Sequence, residues 1–223
     1  MQERLSAGAL FDLAHSLAAP LFSVVAYPWE ILPAVPAFVR SLTALLPREE
    51  YRELAPDVLC HRTARLLRGA CVVGPAVIGA GCEVGEDAYL RGVLLGDGCS
   101  IGSFSEVRGC VFFDGAAAGR FCYVADSILG RGARFEAGVV TANLRADRGT
   151  VTVHTKDADL GTDMQRLGAM VGDLAVVGSR CVLSPGTLIS RQMCIPGESY
   201  LHGEITQCEA IHGAAASPHE IRA

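Results

Sequence analysis

Aliphatic residues recur every six positions through most of the chain: at Leu66, Val72, Ile78, Val84 and Leu90, then, after a slip of one, at Leu95, Ile101, Val107 and Phe113, and again from Val171 through Val177, Leu183, Ile189 and Ile195. An amphipathic helix needs spacings of three and four, and a half-buried strand needs strict alternation; a period of six fits neither. The position four further on stays small, as at Ala70, Ala76, Cys82, Ala88, Cys99, Ser105, Ala117, Cys181 and Thr187. The two slots together describe a coil with flat faces and tight corners. Each face sends one aliphatic side chain inward, and each crowded corner takes a small one. Such a coil cannot bury its core alone and is stable only when stacked on its neighbours. The period predicts an all-β solenoid over residues 61–203, with about six coils at about 4.8 Å each making a prism roughly 30 Å tall.

The segment 1–60 lacks this period. ALFDLAHSLA and PAFVRSLTALL carry helical spacing with prolines at their ends, which predicts a short α-helical N-terminal segment over 1–60 with Trp29, Phe38 and Leu42 in its core. Pro20, Pro28, Pro33 and Pro36 interrupt its apolar stretch, so no clean span of about 20 residues is available to cross a bilayer and no membrane partner is expected. The tail over 204–223, with HGAAASPHE, reads as flexible from its composition. Half of the 223 residues are apolar, which excludes a disordered chain. A formal net charge of -5 gives no basic face for nucleic acid. Nine cysteines, an odd number, and an N-terminus, MQERL, without the features of a secretory signal predict a reduced, cytoplasmic protein. With no C-x-x-C pair, no metal site is expected, and Cys82, Cys99 and Cys181 read as small apolar fillers.

Two segments depart from the repeat. Between Gly119 and Ile128 the chain is two positions short of two full hexads, which sets the large Tyr123 in the small slot and predicts an opened corner. From about Asn143 to Arg166 the aliphatic period disappears, and TVTVHTK predicts a short strand on an excursion. Loops thrown out of a rigid scaffold commonly carry sites.

The hexads resemble those of the hexapeptide-repeat acyltransferases, whose fold is a left-handed parallel β-helix with three hexads per turn. YVADSILGRGARFEAGVVTANLRAD, followed by QRLGAMVGDLAVVGSRCVLSPGTLI, is similar to the acetyltransferase half of the bifunctional enzymes that make UDP-N-acetylglucosamine. There the motifs read approximately G-H-x-x-Y-V-G-D-S-x-x-G, N-x-G-A-G-x-x-x-x-N and K-x-G-A-x-x-G-D. Tyr123, Asp126, Gly138 and Asn143 match them. The resemblance implies a homotrimer with sites between subunits, acetyl-CoA as cofactor alongside Gly178 and Ser179, and an amino-sugar phosphate or nucleotide sugar as partner. It also implies that Tyr123 contacts the sugar phosphate and that Tyr123 and Asn143 belong to the catalytic set. The segment before the solenoid is too short for a nucleotidyltransferase domain, so the likeness is to a stand-alone acetyltransferase.

Three positions depart from the family pattern. Arg120 stands where the family has its catalytic histidine, Arg134 where it has asparagine and Arg166 where it has lysine. Transfer of an acetyl group to an amine needs a base near neutral pKa, and histidine is suited to that. A guanidinium stays charged and offers no lone pair. General-base help is worth about 100- to 10,000-fold in rate. His154, on the excursion, is the substitute base this reading names, whereas His61, His202, His212 and His219 flank the solenoid and read as surface residues. Asp126 reads equally as a base or as a corner cap. Convergence of Arg120, Arg134 and Arg166 beside Tyr123 would make a substrate site for a phosphate or carboxylate. Three functions follow: an acetyl-CoA-dependent acyltransferase on an amino-sugar phosphate, a non-catalytic binder of an anionic sugar phosphate or nucleotide sugar, and a structural module pairing with a separate nucleotidyltransferase.

Overall fold

The structure, a computed structural model, describes residues 3–207. From Val58 to Ile205 the backbone winds as a left-handed parallel β-helix whose short strands stack into three sheets, one on each face. The first face begins at Val58–His61, the second at Arg65–Leu66 and the third at Cys71–Val73. Among the described residues the second and third faces hold seven strands each, which makes seven complete coils, one more than the period suggests. It opens an eighth at Glu204–Ile205, inside the stretch read from sequence as tail. His212 and His219 lie outside the described residues.

Parallel pairing keeps equivalent side chains in columns. Ile78, Leu95, Phe112, Leu129, Val171 and Ile189 stack inside the first face, and Val84, Ile101, Ala118, Phe135 and Val177 inside the second, all buried. The small slots do more than save space. Cys82 Sγ donates to the Gly96 carbonyl at 3.0 Å, Cys99 Sγ to Phe113 at 3.1 Å, Cys122 Sγ to Glu136 at 3.2 Å and Ser105 Oγ to Gly119 at 2.7 Å, each bridging one coil to the next.

The coils are not all three full hexads long. Leu66 pairs with Val84, three hexads on, but Val84, Ile101, Ala118 and Phe135 follow one another one position short of that. The missing position is lost at the corner between the third and first faces, where Gly92, Gly109 and Asp126 take the left-handed backbone at φ 64°, 61° and 46°. Glycine adopts that conformation without steric penalty, and aspartate tolerates it. This regular shortening corrects the sequence register twice. Phe112, not Phe113, points inward, and the small slot before the third face is filled by buried Cys122, so Tyr123 stands outward in a column with Glu106 and Val140. The corner beside Tyr123 is not opened by a misplaced tyrosine.

The N-terminal segment is helical only to Leu45. Tyr51–Ala55 and Val58–His61 are strands that pair antiparallel around a turn with Asp57 at φ 58°, sealing the edge of the first face. The longest helix, Val35–Leu45, carries a proline in its first turn, where no amide hydrogen bond is lost, and buries Val35, Val39 and Leu42 along one side. Its target is the outward side of the first face. There Leu59, Val77, Leu94, Val111, Ile128, Met170 and Leu188 form an apolar column buried under Phe11, Phe22, Trp29 and Ile31. Phe113 packs 5.1 Å from Phe11 and 5.9 Å from Phe22.

The excursion leaves the third face after Val140–Thr141 and rejoins the first at Ala169–Val171. It folds back as an antiparallel hairpin of Thr152–His154 with Asp159–Gly161, and Val151 and Val153 join the same outer cluster. Arg4 ties the pieces together, meeting Asp157 at 2.8 Å and Glu204 at 3.1 Å. Among the described residues no helix is long and apolar enough to cross a membrane.

Candidate functional site

A cleft of about 400 Å³ runs along the corner between the third and first faces. Arg91 and Arg108 end the adjacent strands Tyr89–Arg91 and Glu106–Arg108 and are directly paired in register, which sets two guanidinium-bearing side chains one strand spacing apart. Neighbouring like charges on a sheet are destabilising. Glu106 relieves one of them, at 2.9 Å from Arg108; Arg91 and Arg166 make no ion pair among the described residues. The next residue in that column is Ala125, whose short side chain leaves room for Tyr123, Asp126 and Asn143 to line the same cleft.

Arg166 arrives from the returning end of the excursion. Its placement is fixed by the amide of Leu167, which donates to the Asn143 carbonyl at 3.0 Å, and that of Gly168, which donates to the Asp126 carbonyl at 2.8 Å. A side chain at Gly168 would collide with the Ala125 carbonyl and the Ser127 hydroxyl, so glycine is required for the chain to re-enter here.

Asp126 differs from the other corner aspartates. Asp97 accepts from the Ala80 amide at 2.7 Å, Asp114 from the Asp97 amide at 2.9 Å and Asp173 from the Arg131 amide at 2.7 Å. Asp126 instead accepts from a side chain, Asn143 Nδ2, at 2.5 Å. Burial pushes its pKa above the ordinary 3.8, against the opposing pull of the Asn143 hydrogen bond and the Arg166 and Arg108 charges. A desolvated, singly bonded carboxylate facing cations can take a proton.

A second cleft, of about 330 Å³, lies between the hairpin and the last coils. His154 lines it, with Nδ1 2.7 Å from Asp159 Oδ1 and its ring 4.7 Å from that of His202. Ser184 Oγ donates to the Tyr200 hydroxyl at 2.6 Å, and Arg145 holds Asp147 through two hydrogen bonds, pulling that carboxyl far below its usual range.

Of the residues named from sequence, Tyr123, Asn143 and Arg166 share the first cleft, and His154 sits in the second. Arg120 lies at the opposite corner, between the second and third faces, and Arg134 on the second face between Ala117 and Val176; within one chain the three arginines do not share a cleft. Gly178 and Ser179 turn the same opposite corner two coils further on and line neither cleft. Beside Arg120, Phe121 stacks on Phe104 with centroids 5.4 Å apart, although both rings are exposed and both backbones left-handed at φ 59° and 60°. Side chains there cost roughly 1–2 kcal/mol each.

Sequence reasoning missed Arg91 and Arg108. Their signal was present as the repeated Arg-Gly of 91–92 and 108–109, one shortened coil apart and in step with Ala125-Asp126.

The coil architecture and the cleft define a hexapeptide-repeat β-helix with an anion-receptive corner. A family model described as GlmU-like, C-terminal hexapeptide matches residues 62–158. The bifunctional protein GlmU of Methanococcus maripaludis (strain C7) is 31% identical over 90 residues, which is 40% of this chain and 22% of that protein. The matched part thus spans about a fifth of the bifunctional relatives. The uncharacterized acetyltransferase YaiX of Escherichia coli (strain K12) is 29% identical over 194 residues, covering 81% of this chain and 84% of that protein. Among solved structures, PerB from Caulobacter crescentus in complex with CoA and GDP-perosamine aligns with a TM-score of 0.37 and 13% identity over 64% of this chain and 52% of that one. Over residues 62–158 the chain is thus similar to the hexapeptide-repeat C-terminal part of the GlmU proteins.

Proposed function

We propose that this protein transfers an acetyl group from acetyl-CoA to the amine of an anionic amino sugar held in the first cleft. The observation that carries the reading is the register pairing of Arg91 with Arg108, joined in the cleft by Arg166. Charge held this close is costly alone and is relieved by a group with about -1.5 to -2 charge, which a phosphomonoester supplies. Guanidinium also matches phosphate oxygens in bidentate geometry.

With the phosphate on the arginines, the sugar lies toward Tyr123, Asp126 and Asn143. Acetyl-CoA supplies the activated thioester. The amine nitrogen attacks its carbonyl carbon, the carbon–sulfur bond breaks, and coenzyme A leaves as the thiol after taking a proton. Asp126 receives the amine proton in place of the histidine that Arg120 replaces, and Asn143 holds the carboxylate in position. The test is single-turnover transfer from radiolabelled acetyl-CoA to glucosamine 1-phosphate; no transfer above the uncatalysed rate overturns the reading. A homotrimer is part of it: the N-terminal segment covers the first face and leaves the second and third for contact between copies.

A second reading is favoured by Arg120 itself. A guanidinium has no lone pair for proton removal, so a chain that binds sugar phosphates without acetylating them is a recognition protein.

A further inference from the structure

The first cleft is not built by the β-helix alone. Pro36 and Arg40, from the helix Val35–Leu45, line it together with Gly74 and Pro75 of the first coil. Arg40 is oriented by the turn that seals the first face, its Nε lying 3.1 Å from Asp57 Oδ2. That turn is itself locked to the coil below, because a side chain at Gly74 would strike the Pro56 carbonyl at 2.6 Å and Asp57 Cβ at 3.1 Å. The helix is anchored independently through buried Val35, Val39 and Leu42.

The order of these groups along the corner has a chemical meaning. Tyr123 and Asp126 stand on the fourth coil, Arg108 on the third, Arg91 on the second and Gly74–Pro75 on the first, with Pro36 and Arg40 alongside. A phosphate on Arg91 and Arg108 therefore has its sugar on one side and the helix with the first coil on the other. A monoester ends there. A diester or diphosphate continues its chain toward two prolines, whose rings cannot rotate aside.

We propose that Pro36 and Arg40 are specificity-determining residues of the acceptor site: the N-terminal helix closes the phosphate end of the cleft, admitting a sugar monophosphate and excluding a nucleotide-diphosphate sugar. This rests on the reading of the first cleft as the acceptor site. Arg40 adds a cation at the terminal phosphate oxygens, and Pro36 supplies the wall.

Equilibrium titration of the full chain with glucosamine 1-phosphate and with a UDP-hexosamine, without acyl donor, separates this from catalysis. The expected result is saturable binding of the monophosphate at least tenfold tighter than the nucleotide sugar. Arg40→Ala then weakens the monophosphate about tenfold and Arg40→Lys recovers part of that loss, while Pro36→Gly narrows the preference between the ligands severalfold. Thermal midpoints measured alongside identify variants that have lost the helix packing, and Arg40→Lys, which retains the charge, keeps the comparison informative. Tighter binding of the nucleotide sugar by the native chain overturns the proposal, as does an unchanged preference in both Arg40→Ala and Pro36→Gly. Failure to bind either ligand overturns the acceptor-site reading with it. Binding without acetyl transfer leaves the wall intact and overturns only the catalysis.

Discussion

Asn143 Nδ2 reaches across the opening of the excursion to donate to Asp126 Oδ2 at 2.5 Å, joining the point where the chain leaves the β-helix to the corner that faces the arginines. The bond does two things. It fixes the direction of a carboxylate whose backbone is already left-handed at φ 46°, and it opposes the burial that raises that carboxyl's pKa.

Removing the bond should move the pH profile. In Asn143→Ala the stabilisation of the charged carboxylate is lost, so the acidic limb of kcat/KM is expected to shift to higher pH, with a drop of about tenfold or more at neutral pH. A profile with an unmoved acidic limb would remove Asp126 from the proton pathway.

Asp126→Asn tests the same carboxyl through stability. Its folded pKa is raised, so its contribution is fully present below the unfolded value and is lost as pH rises through the raised folded value. The native chain should therefore lose stability across that window, and the asparagine variant should lose less of it while losing activity. Urea midpoints measured on both sides of the window decide the point.

Arg91→Ala and Arg108→Ala should each weaken sugar-phosphate binding about 10- to 100-fold, the range for a lost charge-assisted hydrogen bond, and should flatten its salt dependence. Arg134→Ala, on the second face, should change it less than about twofold. Calorimetric titration at two ionic strengths reads both effects.

Phe112 and Phe121 offer a stability contrast between chemically identical side chains. Phe112→Ala empties a fully buried column and should cost about 3–5 kcal/mol. Phe121→Gly removes a ring that is 63% exposed and relieves a left-handed backbone, so it should stay within about 1 kcal/mol of the parent in urea unfolding.

The period of six made the three-faced coil and its inward columns legible, because one aliphatic per face is all that a prism of this width can hold. The shortened coils were half visible. Their first slip shows at Leu95, but a strict period of six from there, blind to the corner geometry of Gly92 and Gly109, exchanges Phe112 with Phe113 and Cys122 with Tyr123. The outward apolar column of the first face was hidden in pairs such as Leu94–Leu95 and Ile128–Leu129, where the second member satisfied the repeat and concealed the reason for the first. The motifs pointed to three residues that line the candidate cleft, Tyr123, Asn143 and Arg166. Arg91 and Arg108 escaped because their meaning comes from stacking: a whole coil separates them along the chain and one strand spacing separates them in space.

That stacking makes the peptide backbone the ruler of the cleft. The distance between the two guanidinium-bearing positions is set by amide-to-carbonyl bonds between coils, at about 4.8 Å. It does not depend on how any side chain packs. Most of the surrounding sequence is thus free to drift, and coil length itself can change by a residue at the corner, since Val73 pairs with Arg91 across a full coil and Arg91 with Arg108 across a shortened one, while the gauge of the guanidinium pair stays constant.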